Sequence, residues 1–132
     1  MEETEAVVRE YVAACNGGDV EAVCAVMHPD VELHEAEALP GAVSAVGLDE
    51  VRHYISSFGT HWSYVRWEPL ELRIRDHLAL MRANLVLTGR QSGLNTEREW
   101  LYLFEVRDGK LFRQYGYDDM VAAETALAQG GR

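Results

Sequence analysis

Close to residue 61 the hydrophobic period of the chain changes from helical to strand-like, and this single change dictates the architecture. Before it, Val7, Val8, Tyr11, Ala14 and Cys15 fall on one helical face over residues 2–16, with Glu2, Glu3 and Glu5 at the dipole-favoured start. Asn16-Gly17-Gly18 ends that helix and Asp19 is a ready N-cap for the next, which carries Val20, Val23, Cys24 and Met27 and stops before Pro29. Val31–Glu35 alternates as a short strand, and residues 36–46 read as a loop holding Pro40 and Gly41. A third helix follows Gly47, with Val51, Tyr54, Ile55 and Phe58 on one face and Gly59 as its stop. After it come the strands His61–Arg75, Leu78–Thr88, Glu99–Val106 and Leu111–Tyr117. Pro69 implies an edge position or a bulge that bends the sheet, and Asp108-Gly109 is a hairpin turn. Asp119–Ala128 closes the chain as a helix. Helices segregated from an antiparallel sheet make an α+β domain.

With 132 residues the chain has room for one domain, spanning 1–132, with a core that needs no disulfides. A net charge of −10 and the absence of any Lys/Arg block disfavour nucleic-acid binding. Arg66, Arg73, Arg75 and Arg82 recur in strand-like segments mixed with acids. Cys15 and Cys24 read as reduced core thiols. No apolar run approaches the length of a membrane span, and Met1-Glu2-Glu3 is unlike a signal peptide, so a cytoplasmic protein is expected, with no membrane partner. His28, His34, His53, His61 and His77 show no metal-ligand spacing, and neither a phosphate loop nor a nucleophile elbow occurs. The expectation is a protein without metal or cofactor.

The element order, together with Tyr11-Val12-Ala13-Ala14-Cys15-Asn16-Gly17-Gly18-Asp19 and Phe104-Glu105-Val106-Arg107-Asp108-Gly109-Lys110, resembles the nuclear transport factor 2-like superfamily. Within it the chain is similar to SnoaL-like polyketide cyclases, and the helix-1 run also resembles that of ketosteroid isomerases. The resemblance implies a cone-shaped curved sheet with the N-terminal helices on its concave face, an apolar cavity between them, and homodimers formed through sheet surfaces. Leu101-Tyr102-Leu103-Phe104 is apolar on both faces, so the face that misses the core needs a cover, for which a partner chain is one candidate.

The resemblance also nominates residues. Tyr11 matches the tyrosine that donates to an oxyanion in the isomerases; the bland alternative is a core tyrosine bonded to a backbone acceptor. Glu35 falls where the isomerases hold a general-base aspartate, and period two sends it inward with Val31 and Leu33; a one-residue slip would bring His34 in instead. Tyr102 stands where the isomerases keep a protonated aspartate, a departure that argues against steroid isomerisation. Asp118 is the nearest match to the acid/base aspartate of the cyclases, although Asp118 or Asp119 equally suits the N-cap of the last helix. Phe58, Trp62, Trp100, Tyr102 and Phe112 are candidate walls for an apolar ligand, and Trp67 and Tyr64 add to the aromatic content. Arg82 and Asn84 share one strand face, either solvated or inside the cavity. The Asp-Arg-Asp set of epoxide hydrolases of this fold is missing from Arg98-Glu99-Trp100 and Arg113-Gln114-Tyr115.

The expected function is proton transfer α to the carbonyl of a small apolar molecule, as an isomerase or cyclase-type lyase. Glu35 or His34 is then the base, Tyr11 the enolate donor and Asp118 the returning acid. The rivals are a non-catalytic ligand-binding or dimerisation module and the small subunit of an oxygenase.

Overall fold

A computed structural model describes residues 2–36 and 44–130, with the side chains of 58–61 and 64 outside the description. The elements are α1 (Glu2–Gly17), α2 (Val20–Ala25), β1 (Met27–His34), β2 (Ser44–Val46), α3 (Leu48–His61), β3 (Trp62–Arg75), β4 (Leu78–Gly89), β5 (Asn95–Arg107), β6 (Lys110–Tyr117) and α4 (Met120–Ala128). They form a curled six-stranded sheet in the order β2-β1-β6-β5-β4-β3, an α+β domain as the change of period requires. Neighbours pair antiparallel except β1 with β6, which run parallel because α3 and the β3–β5 meander intervene.

Local chemistry explains most boundaries. Gly18 takes a positive φ of 74° after α1, and Asp19 Oδ1 accepts from the backbone N–H groups of Glu21 and Ala22 at 3.0 and 3.4 Å. Thr4 Oγ1 donates to the carbonyl of Asp76 at 2.7 Å, which fastens the start of α1 to the β3–β4 turn. α2 is shorter than its apolar pattern implies, because Met27 already belongs to β1. That strand carries Pro29 where its register with β6 shifts, between Met27 and Glu32, so the missing N–H costs no ladder bond. α3 passes through Gly59 to His61, a glycine inside a helix costing only about 1 kcal/mol. β2, within the expected 36–46 loop, is three residues long and too short to announce itself; the remainder of that loop, 37–43, lies outside the described residues.

Two apolar layers cover the sheet. On the concave side α1 and α3 pack on Val31, Leu33, Trp67, Met81, Leu85, Tyr102 and Phe104. On the convex side Ala123 and Ala126 of α4 lie over Leu78, Leu80, Leu101 and Leu103. The doubly apolar Leu101–Phe104 segment therefore finds its second cover within the same chain. Beyond α4 the convex face turns polar. Arg82 Nη1 bonds Glu99 at 2.8 Å, and Asn84 Nδ2 bonds Glu68 and Glu97 at 3.0 and 2.8 Å, so Arg82 and Asn84 belong to the solvated side. At Pro69 the β3–β4 register slips by one residue, leaving Leu70 bulged and half exposed.

Candidate functional site

Between the concave face and helices α1 and α3 lies a cavity of about 400 Å³. Its walls are largely apolar: Val20, Val23, Leu33, Ile55, Val65, Leu85 and Leu87, with Trp62 and Trp67. Four exposed residues, Gly18, Ser56, Ser63 and Arg90, flank its opening. Polar atoms collect at the inner end, where Tyr11 and Cys15 from α1, Tyr54 from α3, Tyr102 from β5 and Gln114 from β6 surround Glu35.

Strand parity carries Glu35 inward. Val31 and Leu33 are fully buried on the concave side, and two residues further Glu35 enters the cavity as the chain leaves β1. Gly116 makes room for this exit: a β-carbon there would lie 2.7 Å from the backbone nitrogen of Ala36. His34 takes the opposite face. Its ring stacks on Tyr115 at 5.0 Å, with Ser44 Oγ at 3.0 Å and Glu32 Oε1 at 2.9 Å, and this last contact holds the Glu32 carboxyl below the usual range. His34 does not line the cavity.

Tyr11 is buried, and its hydroxyl donates to Gln114 Oε1 at 2.7 Å; Gln114 Nε2 donates in turn to Glu35 Oε1 at 3.0 Å. Rings pack around this chain, with Tyr11 edge-on to Trp67 at 5.7 Å and to Phe104 at 5.8 Å, and Tyr102 4.8 Å from Trp67. Asn16 seats Trp67 by accepting from its backbone N–H at 2.8 Å and donating to its carbonyl at 2.9 Å.

Burial governs the electrostatics. It pushes the Glu35 carboxyl up to about 7, against the smaller opposing pull of the Gln114 hydrogen bond. The same desolvation, reinforced by the nearby Glu35 charge, raises the Tyr11, Tyr54 and Tyr102 phenols; it also lifts the Cys15 thiol to about 12. Near neutral pH the inner end thus offers one group able to exchange a proton, ringed by neutral hydroxyls.

The other nominated residues lie elsewhere. Asp118 is exposed past the end of β6, 3.9 Å from Arg98, while Asp119 caps α4 by accepting from the Val121 N–H at 2.9 Å. Trp100 is buried in the concave core without reaching the cavity, under the Arg98 guanidinium at 4.0 Å. Phe112 is held between Arg107 and Arg113, at 3.9 and 4.5 Å, with His28 edge-on. The side chain of Phe58 is outside the description. Tyr11, Glu35, Trp62 and Tyr102 therefore meet at one cavity; His34, Asp118, Trp100 and Phe112 do not. Gln114 is the residue that sequence reasoning missed. β6 bulges against β5 after Leu111, so Leu111 and Gln114 both face inward although three positions apart. Simple alternation from Leu111 sends Gln114 outward. Among the described residues no cluster of His, Cys, Asp and Glu could hold a metal ion, and no helix is long and apolar enough to cross a membrane.

The profile of the SnoaL-like domain matches residues 8–114, which includes every residue of the inner end. The chain belongs to the SnoaL-like family. Solved structures agree on the fold of this SnoaL-like domain. A nuclear transport factor 2-like protein of unknown function from Burkholderia pseudomallei superposes with a TM-score of 0.80 at 20% identity, covering 92% of this chain and 95% of the other. TerC, co-crystallised with polyporic acid, gives 0.78 at 19%, covering 96% and 98%. A Catenulispora acidiphila protein with the ketosteroid isomerase-like fold, in complex with trimethylamine, gives 0.75 at 11%, covering 96% and 93%. Among curated proteins none matches the sequence.

Proposed function

We propose that this SnoaL-like domain catalyses proton transfer at a carbon α to a carbonyl, in an isomerase or cyclase-type lyase reaction on a small, largely apolar molecule. One observation carries the reading: the carboxyl of Glu35 lines an aromatic-walled cavity with its pKa raised to about 7. A base so poised is about half ionised at neutral pH, where general-base catalysis is most effective. Glu35 removes the α-proton and, with no second carboxyl among the described cavity residues, returns it at the product position. Tyr102 and Tyr11 supply phenol donors to the enolate oxygen, and their raised pKa values keep them protonated. The co-crystallisation of TerC, a structural relative, with polyporic acid supports a small organic molecule as the ligand.

The test uses 2-tetralone, a bicyclic ketone with readily exchanged α-hydrogens, in deuterated water followed by NMR. The expected result is protein-dependent exchange that slows about 10²- to 10⁴-fold in Glu35→Gln. Binding of the ketone with exchange indifferent to Glu35→Gln overturns the reading. That outcome favours the rival, a ligand-binding module, whose support is that the Tyr11 hydroxyl is already committed to Gln114.

A further inference from the structure

The hydrogen-bond chain at the inner end has a direction. Gln114, 1% exposed, presents its carbonyl to the Tyr11 hydroxyl and its amino group to Glu35. This orientation suits an ionised Glu35, which can only accept. It also commits the Tyr11 proton to Gln114, so that it is not available to an enolate. A protonated Glu35 has an O–H to give, and the terminal torsion of a glutamine is two-fold, so its two amide ends exchange by a half-turn at little intrinsic cost.

We propose that Gln114 is a positioning residue whose carboxamide reverses when Glu35 takes up a proton, thereby turning the Tyr11 hydroxyl from Gln114 towards the cavity. Before reversal, Tyr11 donates to Gln114 and Gln114 donates to Glu35. After it, Glu35 donates to Gln114 and Gln114 donates to the Tyr11 oxygen. The chain keeps two bonds, and no proton passes through the amide. On the proposed reaction, the moment at which Glu35 accepts the α-proton is the moment at which negative charge reaches the carbonyl oxygen, so the released phenol arrives as it is needed. The groups facing Glu35 are Tyr11 and Cys15 of α1, Tyr54 of α3 and Tyr102 of β5, with Arg90 at the opening. All four inner groups stay neutral well above pH 7, so a neutral-pH transition in this cavity reports Glu35.

The switch rests on the proposed function for its purpose but is measurable in the protein without ligand. Samples carrying ¹³C at the tyrosine ζ and glutamate δ carbons and ¹⁵N at the glutamine amides are titrated from pH 5 to 9, with Tyr11→Phe, Glu35→Gln and Gln114→Met giving the assignments. The expected result is one common midpoint near pH 7 for Glu35, Gln114 and Tyr11. In Gln114→Met, which keeps the bulk, Glu35 still titrates while Tyr11 no longer follows it. A Tyr11 signal that stays flat in the parent protein overturns the relay. So does one that still follows Glu35 in Gln114→Met, since only the field of the charge is then acting. Loss of the relay with Glu35-dependent ketone exchange intact removes this inference and leaves the proposed reaction standing. A working relay without exchange removes the reaction alone.

Discussion

Gly116 and Ala36 approach so closely that a β-carbon on the glycine would sit 2.7 Å from the backbone nitrogen of the alanine. The atom met is backbone, which cannot swing aside. Gly116→Ala must therefore lift the 35–36 segment off β6, at a cost of about 1–3 kcal/mol in unfolding free energy by denaturant titration. Glu35 moves towards water in the same step. Its midpoint, read by ¹³C NMR, is expected to fall from about 7 towards the model-peptide value of 4.5.

The buried carboxyl also leaves a signature in stability. The folded state holds the Glu35 proton up to about pH 7 and the unfolded state releases it near 4.5, so between those values the folded state binds more protons. Stability is fully present below the unfolded value and is lost as pH rises through the folded one, by on the order of 3 kcal/mol from this group. Glu35→Gln removes that slope. At pH 8 the variant is expected to be more stable than the parent in urea unfolding, while near pH 4 the two converge. Equal stabilities at pH 8 would contradict a carboxyl whose desolvation outweighs its hydrogen bond from Gln114.

Asn16 satisfies both backbone groups of Trp67, on the outermost strand of the sheet. Asn16→Ala leaves an N–H and a carbonyl without these partners and loosens the ring that walls the cavity. A loss of about 1–3 kcal/mol is expected, with a change in tryptophan fluorescence before global unfolding. A merely surface asparagine would show neither.

Two adjacent aspartates give an internal control for helix capping. Asp119→Ala removes the acceptor for the Val121 N–H and is expected to cost about 1 kcal/mol. Asp118→Ala removes only a 3.9 Å exposed pairing with Arg98, and both its unfolding midpoint and ketone exchange should match the parent within error. Loss of exchange in Asp118→Ala would return the acid role to that residue.

The fold was largely legible because its cues are local: the change of period near residue 61, the Asp19 cap, Pro69 at its bulge and the Asp108-Gly109 turn, whose residues take φ of 55° and 72°. The inward side of β1 could be read as well, two apolar neighbours setting the parity that brings in Glu35. What stayed hidden depends on register. The β6 bulge inverts the parity of Gln114, and nothing between Leu111 and Gln114 marks it. Trp100 and Phe112 have the composition of a ligand wall, but their positions along curled strands put them elsewhere. The cover over Leu101 and Leu103 depended on where α4 would dock, and its run of alanine and leucine offers just Glu124 and Thr125 as polar residues to orient it.

The outer strand β3 carries one last implication, for how copies of this protein could join. A neighbouring chain seeking to extend the sheet there would meet Trp67 with its backbone already taken by Asn16, then Pro69 with no N–H to offer, then Leu70 pushed out of register. At the other margin, among the described residues, β2 spans Ser44–Val46. Continuation of the ladder is blunted along this stretch of β3.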